Sequence, residues 1–347
     1  MTVETRHDVA AGARSWLMPG ALLVLLALLI LLALSVGQYP VTPGQLFDLI
    51  VAGLTGRPSA VPETVQTVIW QVRLPRVAGA LLVGAALAAA GAAYQGLFRN
   101  PLVSPDILGV SAGSGLGAVL GIFLSLPVIG IQLSAFVFGI AAVTLVYLIA
   151  ASVRGREPVL VLVLAGVVLG TLAGAVISLL KVLADPYDQL PAITFWLLGS
   201  LATLNPGDVL AAAPLVLLGL APLYLLRWRM NLMALGDEEA KTLGVDAARL
   251  RLLFIAAATL MTAAVVSISG IVGWVGLVMP HIARMLVGPN FEQLLPASLL
   301  LGAGYLLIVD TLARTLTVTE VPLGILTAFL GAPFFLWLLA RGRHGWQ

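Results

Sequence analysis

The sequence predicts an all-α polytopic membrane protein with about ten transmembrane helices and both termini on the cytoplasmic side. Three observations carry that reading. Hydrophobic residues make up 60% of the 347-residue chain and charged residues only 10%, against about 25% charged in an average soluble domain. The mean hydropathy is +1.07, so the chain holds more apolar surface than a soluble fold of this length can bury. The apolar residues also fall into long runs separated by short polar corners rich in proline and glycine.

In order, the runs are 16–36, 73–98, 106–126, 128–152, 157–184, 208–226, 250–270, 274–288, 293–314 and 322–341. About 20 apolar residues cross a hydrocarbon core of about 30 Å. The first run is too long for the core of a signal peptide and has no clear cleavage site, so it is read as a retained span. Residues 37–72 then form the longest outer segment. Within it, Thr42-Pro43-Gly44-Gln45 predicts a capping box opening a short interfacial helix, which ends in a loop at Gly56-Arg57-Pro58-Ser59.

The corner from Arg99 to Asp106 re-enters the membrane, with Ser104 as N-cap and Pro105 at the first helical position. Beyond it, Gly109, Gly113, Gly117 and Gly121 share one helix face, as do Gly166, Gly170 and Gly174 in the fifth run. Such grooves of small residues let a neighbouring backbone approach closely, within one subunit or between two. Residues 190–200 are too few to cross and predict a half-helix at the outer face. Asn205 caps the sixth span.

Residues 227–251 are the most charged interval. Gly236 and Gly244 divide it into short helical pieces. Asp237, Glu238 and Glu239 stand at one helix start, where the backbone dipole favours acids, and Asp246 caps the next helix. Leu232, Met233, Leu235, Leu243 and Val245 are interleaved with the charges, so the interval reads as a folded cytoplasmic hairpin with a docking face. Near the last outer turn, Asp310, Arg314 and Glu320 predict an interfacial ion-pair cluster. With the N-terminus inside, 13 of the 18 Lys and Arg residues lie in inner segments, and Arg57, Arg73, Arg76, Lys181 and Arg314 lie outside.

The missing chemistry is also informative. There is no cysteine, and the histidines are too scattered to form a metal cage. A net charge of +2 with dispersed arginines argues against nucleic acid. No GxxxxGK[ST] phosphate loop, HExxH or GxSxG occurs, so the chain is read as a non-enzyme that binds no ATP or other cofactor of its own. Acidic residues sit near the ends of the spans, which disfavours the alternative of a stand-alone ion-coupled carrier.

Six stretches together resemble one family: RLPR (73–76), GAALAAAGAAYQGLFRNPLVSPDILGVSAGSG (84–115), FWLLGSL (195–201), ALGDEEAKTLGVD (234–246), GWVGLVMPHIAR (273–284) and EVPLGILTAFLGAPFFLWLL (320–339). The chain is similar to the FecCD-type permeases of type II ABC importers for iron-siderophore, haem and cobalamin. The resemblance implies a single permease domain over 1–347 in a bacterial inner membrane. It implies three partners: a second copy, two ATPase subunits that bind ATP and Mg, and a periplasmic binding protein.

Residue by residue, the resemblance gives Arg73, Arg76 and Arg314 a role in docking the binding protein. It gives Gly236, Asp237, Glu238, Ala240, Leu243 and Gly244 a role in coupling to the ATPase. Asn100 and Leu102 match an inner gate, opposed by Val159 and Leu160, where cobalamin-type relatives carry small polar residues. Ferric siderophore is the first cargo expected, then haem and cobalamin, with a small oxyanion last.

Overall fold

A computed structural model describes residues 4–153 and 158–341, and the described residues contain no strand. The helices are α1 (Glu4–Ser35), α2 (Pro43–Thr55), α3 (Glu63–Leu97), α4 (Val110–Phe123), α5 (Val128–Ser152), α6 (Pro158–Leu183) and α7 (Gln189–Leu198). They continue as α8 (Pro206–Leu225), α9 (Arg227–Met233), α10 (Asp237–Thr242), α11 (Ala247–Ser269), α12 (Val275–Val287), α13 (Phe291–Ala313) and α14 (Leu323–Arg341). The stretch Val68–Arg73 of α3 is π-helical.

The local signals act as their chemistry dictates. Thr42 and Gln45 form a reciprocal capping box at α2, and Gly56 closes that helix in the left-handed conformation. Asn205 and Asp208 form a second box at α8. The Asp246 side chain accepts from the Arg249 amide at the start of α11.

Among the described residues, seven helices are long and apolar enough to cross a membrane: α1 from Met18, α3, α5, α6, α8, α11 and α13. They coincide with seven of the ten expected runs. The other three runs, 106–126, 274–288 and 322–341, hold shorter apolar helices. With 14 and 13 residues, α4 and α12 reach only about 20 Å at about 1.5 Å per residue.

The backbone explains the shortening. Ser104 and Pro105 open a 3-10 turn over Pro105–Leu108, and Gly109 at φ +79° redirects the chain before α4 begins. Similarly, Gly270 at φ +68° and Trp274 at φ +72° hold 270–274 out of helix. This irregular backbone is paired inside the protein. The Gly109 amide donates to the Asp106 carbonyl at 2.8 Å, and the Gly270 amide donates to the Val266 carbonyl at 2.9 Å. Non-helical backbone at membrane depth is tolerated only where it is satisfied in this way.

Burial divides the spans into two kinds. The apolar windows of α3, α11 and α13 are 78%, 72% and 67% buried, whereas those of α1, α5, α6 and α8 are 11–22% buried. The buried helices have mean hydropathies of 1.7–2.2, below the 2.4–2.7 of α1, α5 and α6. The order is inverted relative to a soluble protein because lipid supplies no hydrophobic force between helices, and small residues decide which helices can meet. At the α3–α13 crossing, a Cβ on Gly84 would fall on the Gly302 carbonyl oxygen, and one on Gly302 would fall on that of Gly84.

The first glycine ladder packs within the chain. Gly113 faces the Phe138 carbonyl of α5, and Ser134 of α5 donates to the Gly117 carbonyl at 2.7 Å. The second ladder starts against Ile107 at Gly166, but nothing lies within 4 Å of a Cβ at Gly174.

Candidate functional site

The features singled out by sequence gather at two opposite ends of the bundle. At the first, the final turns of α1 and α13 meet the π-helical start of the α3 span. Arg76 Nε donates to both Asp310 oxygens at 2.8 and 3.0 Å, and its Nη1 donates to Glu320 at 2.7 Å. Arg73 Nη1 donates to the carbonyls of Leu34 at 2.6 Å and Ser35 at 3.1 Å, and its Nη2 donates to that of Tyr39. Arg314 donates to the Ala33 carbonyl, and its Nε lies 4.0 Å from Asp310.

Two arginines therefore cap the C-terminus of α1, where the carbonyls have no helical partner and the backbone dipole is negative. Burial lowers the pKa of Arg314 from its ordinary value; the Asp310 carboxylate opposes that fall, and Arg76 and Arg73 add to it. As guanidinium it stays charged throughout.

The structure brings the three arginines together but not as an open row on a rim. Arg73, Arg76 and Arg314 are 4%, 6% and 8% exposed, beneath the segment joining α1 to α2. The interfacial ion-pair cluster expected from Asp310, Arg314 and Glu320 is present but largely inside the protein. Arg76, expected with Arg73 and Arg314 to dock the binding protein, joins the cluster through its bonds to Asp310 and Glu320. The four-residue spacing of Asp310 and Arg314 signals their own pairing, but nothing local points to Arg76, 234 positions from Asp310.

At the opposite end, α9 and α10 form a folded hairpin before α11. Asn231 anchors its first arm, donating to Asn290 at 2.8 Å and accepting from the Phe291 amide at 2.8 Å. Gly236 adopts φ +131° and Gly244 adopts φ +81°, so the two expected breaks fall where only glycine is unstrained. Among the six coupling candidates, Glu238, Leu243 and Gly244 are exposed, whereas Gly236 and Ala240 are buried. Both Asp237 oxygens accept from Arg251 Nη2, at 2.7 and 2.8 Å. Leu235 and Leu243, 59% and 56% exposed, stand with Glu238 and Glu239 on the outward face.

The corner after α3 lies beside this hairpin. A Cβ on Gly96 would stand 3.1 Å from the Met230 sulfur, and one on Gly236 would stand 3.7 Å from Arg99. Asn100 Oδ1 accepts from the Leu102 amide at 2.9 Å, holding Leu102 outward with 41% exposure. Leu160, 46% exposed, lines a groove of about 370 Å³ between α5 and α6 with Ile149, Val153 and Leu164, and neither Asn100 nor Leu102 lines that groove. Val159 packs against the core. The two halves of the expected gate therefore occupy different surroundings within one chain. No group of His, Cys, Asp and Glu that could hold a metal occurs among the described residues.

A family model described as the FecCD transport family matches residues 25–341. The chain belongs to that family. It is 43% identical over 93% of its length to the molybdate import system permease protein MolB of Haemophilus influenzae, covering 95% of that protein. It is 41% identical to the Fe(3+)-citrate import system permease protein YfmE of Bacillus subtilis, covering 92% of this chain and 93% of that one. A solved metal-chelate type ABC transporter in an inward-facing conformation aligns with TM-score 0.84 at 42% identity, over 93% of this chain and 99% of that chain. Permeases of haem and cobalamin importers are also among the relatives. The FecCD-type chain is thus a membrane-embedded permease of the ABC importer class.

Proposed function

We propose that this chain is the membrane-spanning subunit of an ATP-driven importer that moves a chelated metal compound from periplasm to cytoplasm. Ferric siderophore is the leading cargo, followed by haem and cobalamin. Two copies work with two ATP-binding subunits, which hold ATP and Mg and perform the hydrolysis, and with a periplasmic binding protein. The assembly sits in the bacterial inner membrane with both termini of this chain in the cytoplasm.

The observation that carries this reading is the α9–α10 hairpin. It is folded and anchored at Asn231, yet it presents Leu235 and Leu243 beside Glu238 and Glu239 on its open face. Exposed leucines flanking a short charged helix outside the spans form an apolar surface suited to a partner's groove. The binding protein is assigned to the opposite end, where three guanidiniums outnumber the two carboxylates of Asp310 and Glu320. A partner carboxylate would reach Arg73 or Arg314 by replacing the α1 carbonyls they now hold. The exposed face of α6, with Leu160, Leu164 and Leu172 and the open Gly174, is assigned to the second copy and the transport path. Asn100, Leu102, Val159 and Leu160 of the two copies would close the inner gate.

A second reading of the cargo, molybdate, is favoured by the similarity to MolB over nearly the whole chain. The test is uptake into proteoliposomes holding this chain with its ATPase, given the cognate binding protein. Ferric siderophore, haem, cobalamin and molybdate are compared, each with and without ATP. ATP-dependent accumulation of one cargo is expected. Accumulation driven by an ion gradient after removal of the ATPase would instead establish a secondary carrier.

A further inference from the structure

The hairpin carries an ion pair that neither its exposed face nor its glycine breaks require. Asp237 is the first residue of α10, a helix of only six residues. So short a segment has almost no stability of its own, because helix nucleation is unfavourable and little propagation follows it. Its position depends on what holds it. Ala240 and Val245 give it a buried apolar footing, and the Arg251–Asp237 pair is the polar tie between α10 and α11.

The two ends of that tie differ. The Asp237 side chain is 45% exposed, whereas that of Arg251 is 9% exposed with its Nε buried and without a partner. Arg251 sits in the first turns of α11, one of the three helices that form the core. A buried guanidinium with one carboxylate to pair with fixes the direction in which that carboxylate can lie, since an unpaired charge there is costly. Asp237 lies next to Gly236, whose φ of +131° is a conformation that glycine alone adopts without strain.

We propose that Arg251 is a positioning residue for energy coupling. By holding Asp237 it makes α10 and the core helix α11 move as one piece, so that a displacement of the hairpin reaches the bundle instead of being absorbed at Gly236 and Gly244. Asp237 then acts as the inner fastener, while Glu238 and Leu243 face the ATPase. This rests on the proposed function, and the test separates the two.

The intact assembly is reconstituted with the unsubstituted chain, Arg251→Gln, Arg251→Lys, Asp237→Asn and the Arg251→Gln/Asp237→Asn double variant. Cargo imported per ATP hydrolysed is measured alongside basal hydrolysis. The chain has no cysteine, so a spin label at Thr242→Cys reports hairpin mobility without a background signal.

Arg251→Gln is expected to retain basal hydrolysis and lose about tenfold in cargo per ATP, and Asp237→Asn to show the same loss in cargo per ATP. The double variant should be no worse than either single one, as for residues that act through one contact. Arg251→Lys should recover part of the loss, and the label should become more mobile wherever the pair is broken. Cargo per ATP within twofold of the unsubstituted chain, or losses that simply add in the double variant, would overturn the proposal. An unsubstituted assembly that fails to import with ATP would refute the proposed function instead. In that case an unchanged label spectrum in Arg251→Gln would overturn the fastening as well, and a more mobile one would uphold it.

Discussion

The two ends of this permease use charge in opposite ways. At the α1–α13 end, three arginines are buried and their donors meet a carboxylate pair and the last carbonyls of α1. At the hairpin end, Glu238, Glu239 and Lys241 face outward, and Arg251 is drawn inside to hold Asp237. One end is an internal lock with a single surplus positive charge, and the other is an open surface on a held frame. Similarity to a family can identify which residues matter at both ends, but it does not show that one set is covered and the other free.

The largest effect should follow from breaking the lock. Asp310→Ala leaves Arg76 and Arg314 buried without their shared partner and should lower the unfolding free energy by about 3–5 kcal/mol. Thermal unfolding in detergent measures this; a change under about 1 kcal/mol would show that the cluster is hydrated and the contrast between the ends unreal. Arg73→Ala should cost less, about 1.5–3 kcal/mol, through lost charged hydrogen bonds to the end of α1. Hydrogen exchange should then rise at residues 33–36 and stay unchanged in the buried part of α11.

At the other end the effects on stability shrink while those on function persist. Gly244 has φ +81° and open space around its Cα, so Gly244→Val should cost about 1–2 kcal/mol of backbone strain. Gly244→Asn should be milder. ATP-driven uptake should fall far more than the melting temperature when Val is introduced. Smallest in stability is Glu238→Lys, expected to stay within about 0.5 kcal/mol of the unsubstituted chain. Its mark should be weaker capture of the ATPase subunits in a binding titration. Unchanged capture would mean that the open face is not where the partner sits.

Local sequence carried much of this structure. The caps at Thr42, Asn205 and Asp246 and the breaks at Gly236 and Gly244 were legible because each depends on a few adjacent atoms. The long spans were legible because lipid demands unbroken apolar helix, a constraint written along the chain. The shortening of α4 and α12 was less visible. Hydropathy does not distinguish helical from irregular apolar backbone, and the left-handed turns at Gly109, Gly270 and Trp274 that shorten these helices are seen only in the folded chain.

Composition and periodicity by themselves determined that this is a helical membrane protein without an ATP loop of its own, and the sequence's likeness to FecCD-type permeases determined its class. Tertiary structure alone decided which apolar helices form the core, because in lipid the choice depends on backbone approach at points such as Gly84 and Gly302. It alone also decided that Arg73, Arg76 and Arg314 are covered and that Arg251 holds Asp237. Those facts depend on partners up to 281 positions away in the chain, such as Ala33 for Arg314, and no local pattern encodes a contact between residues so far apart.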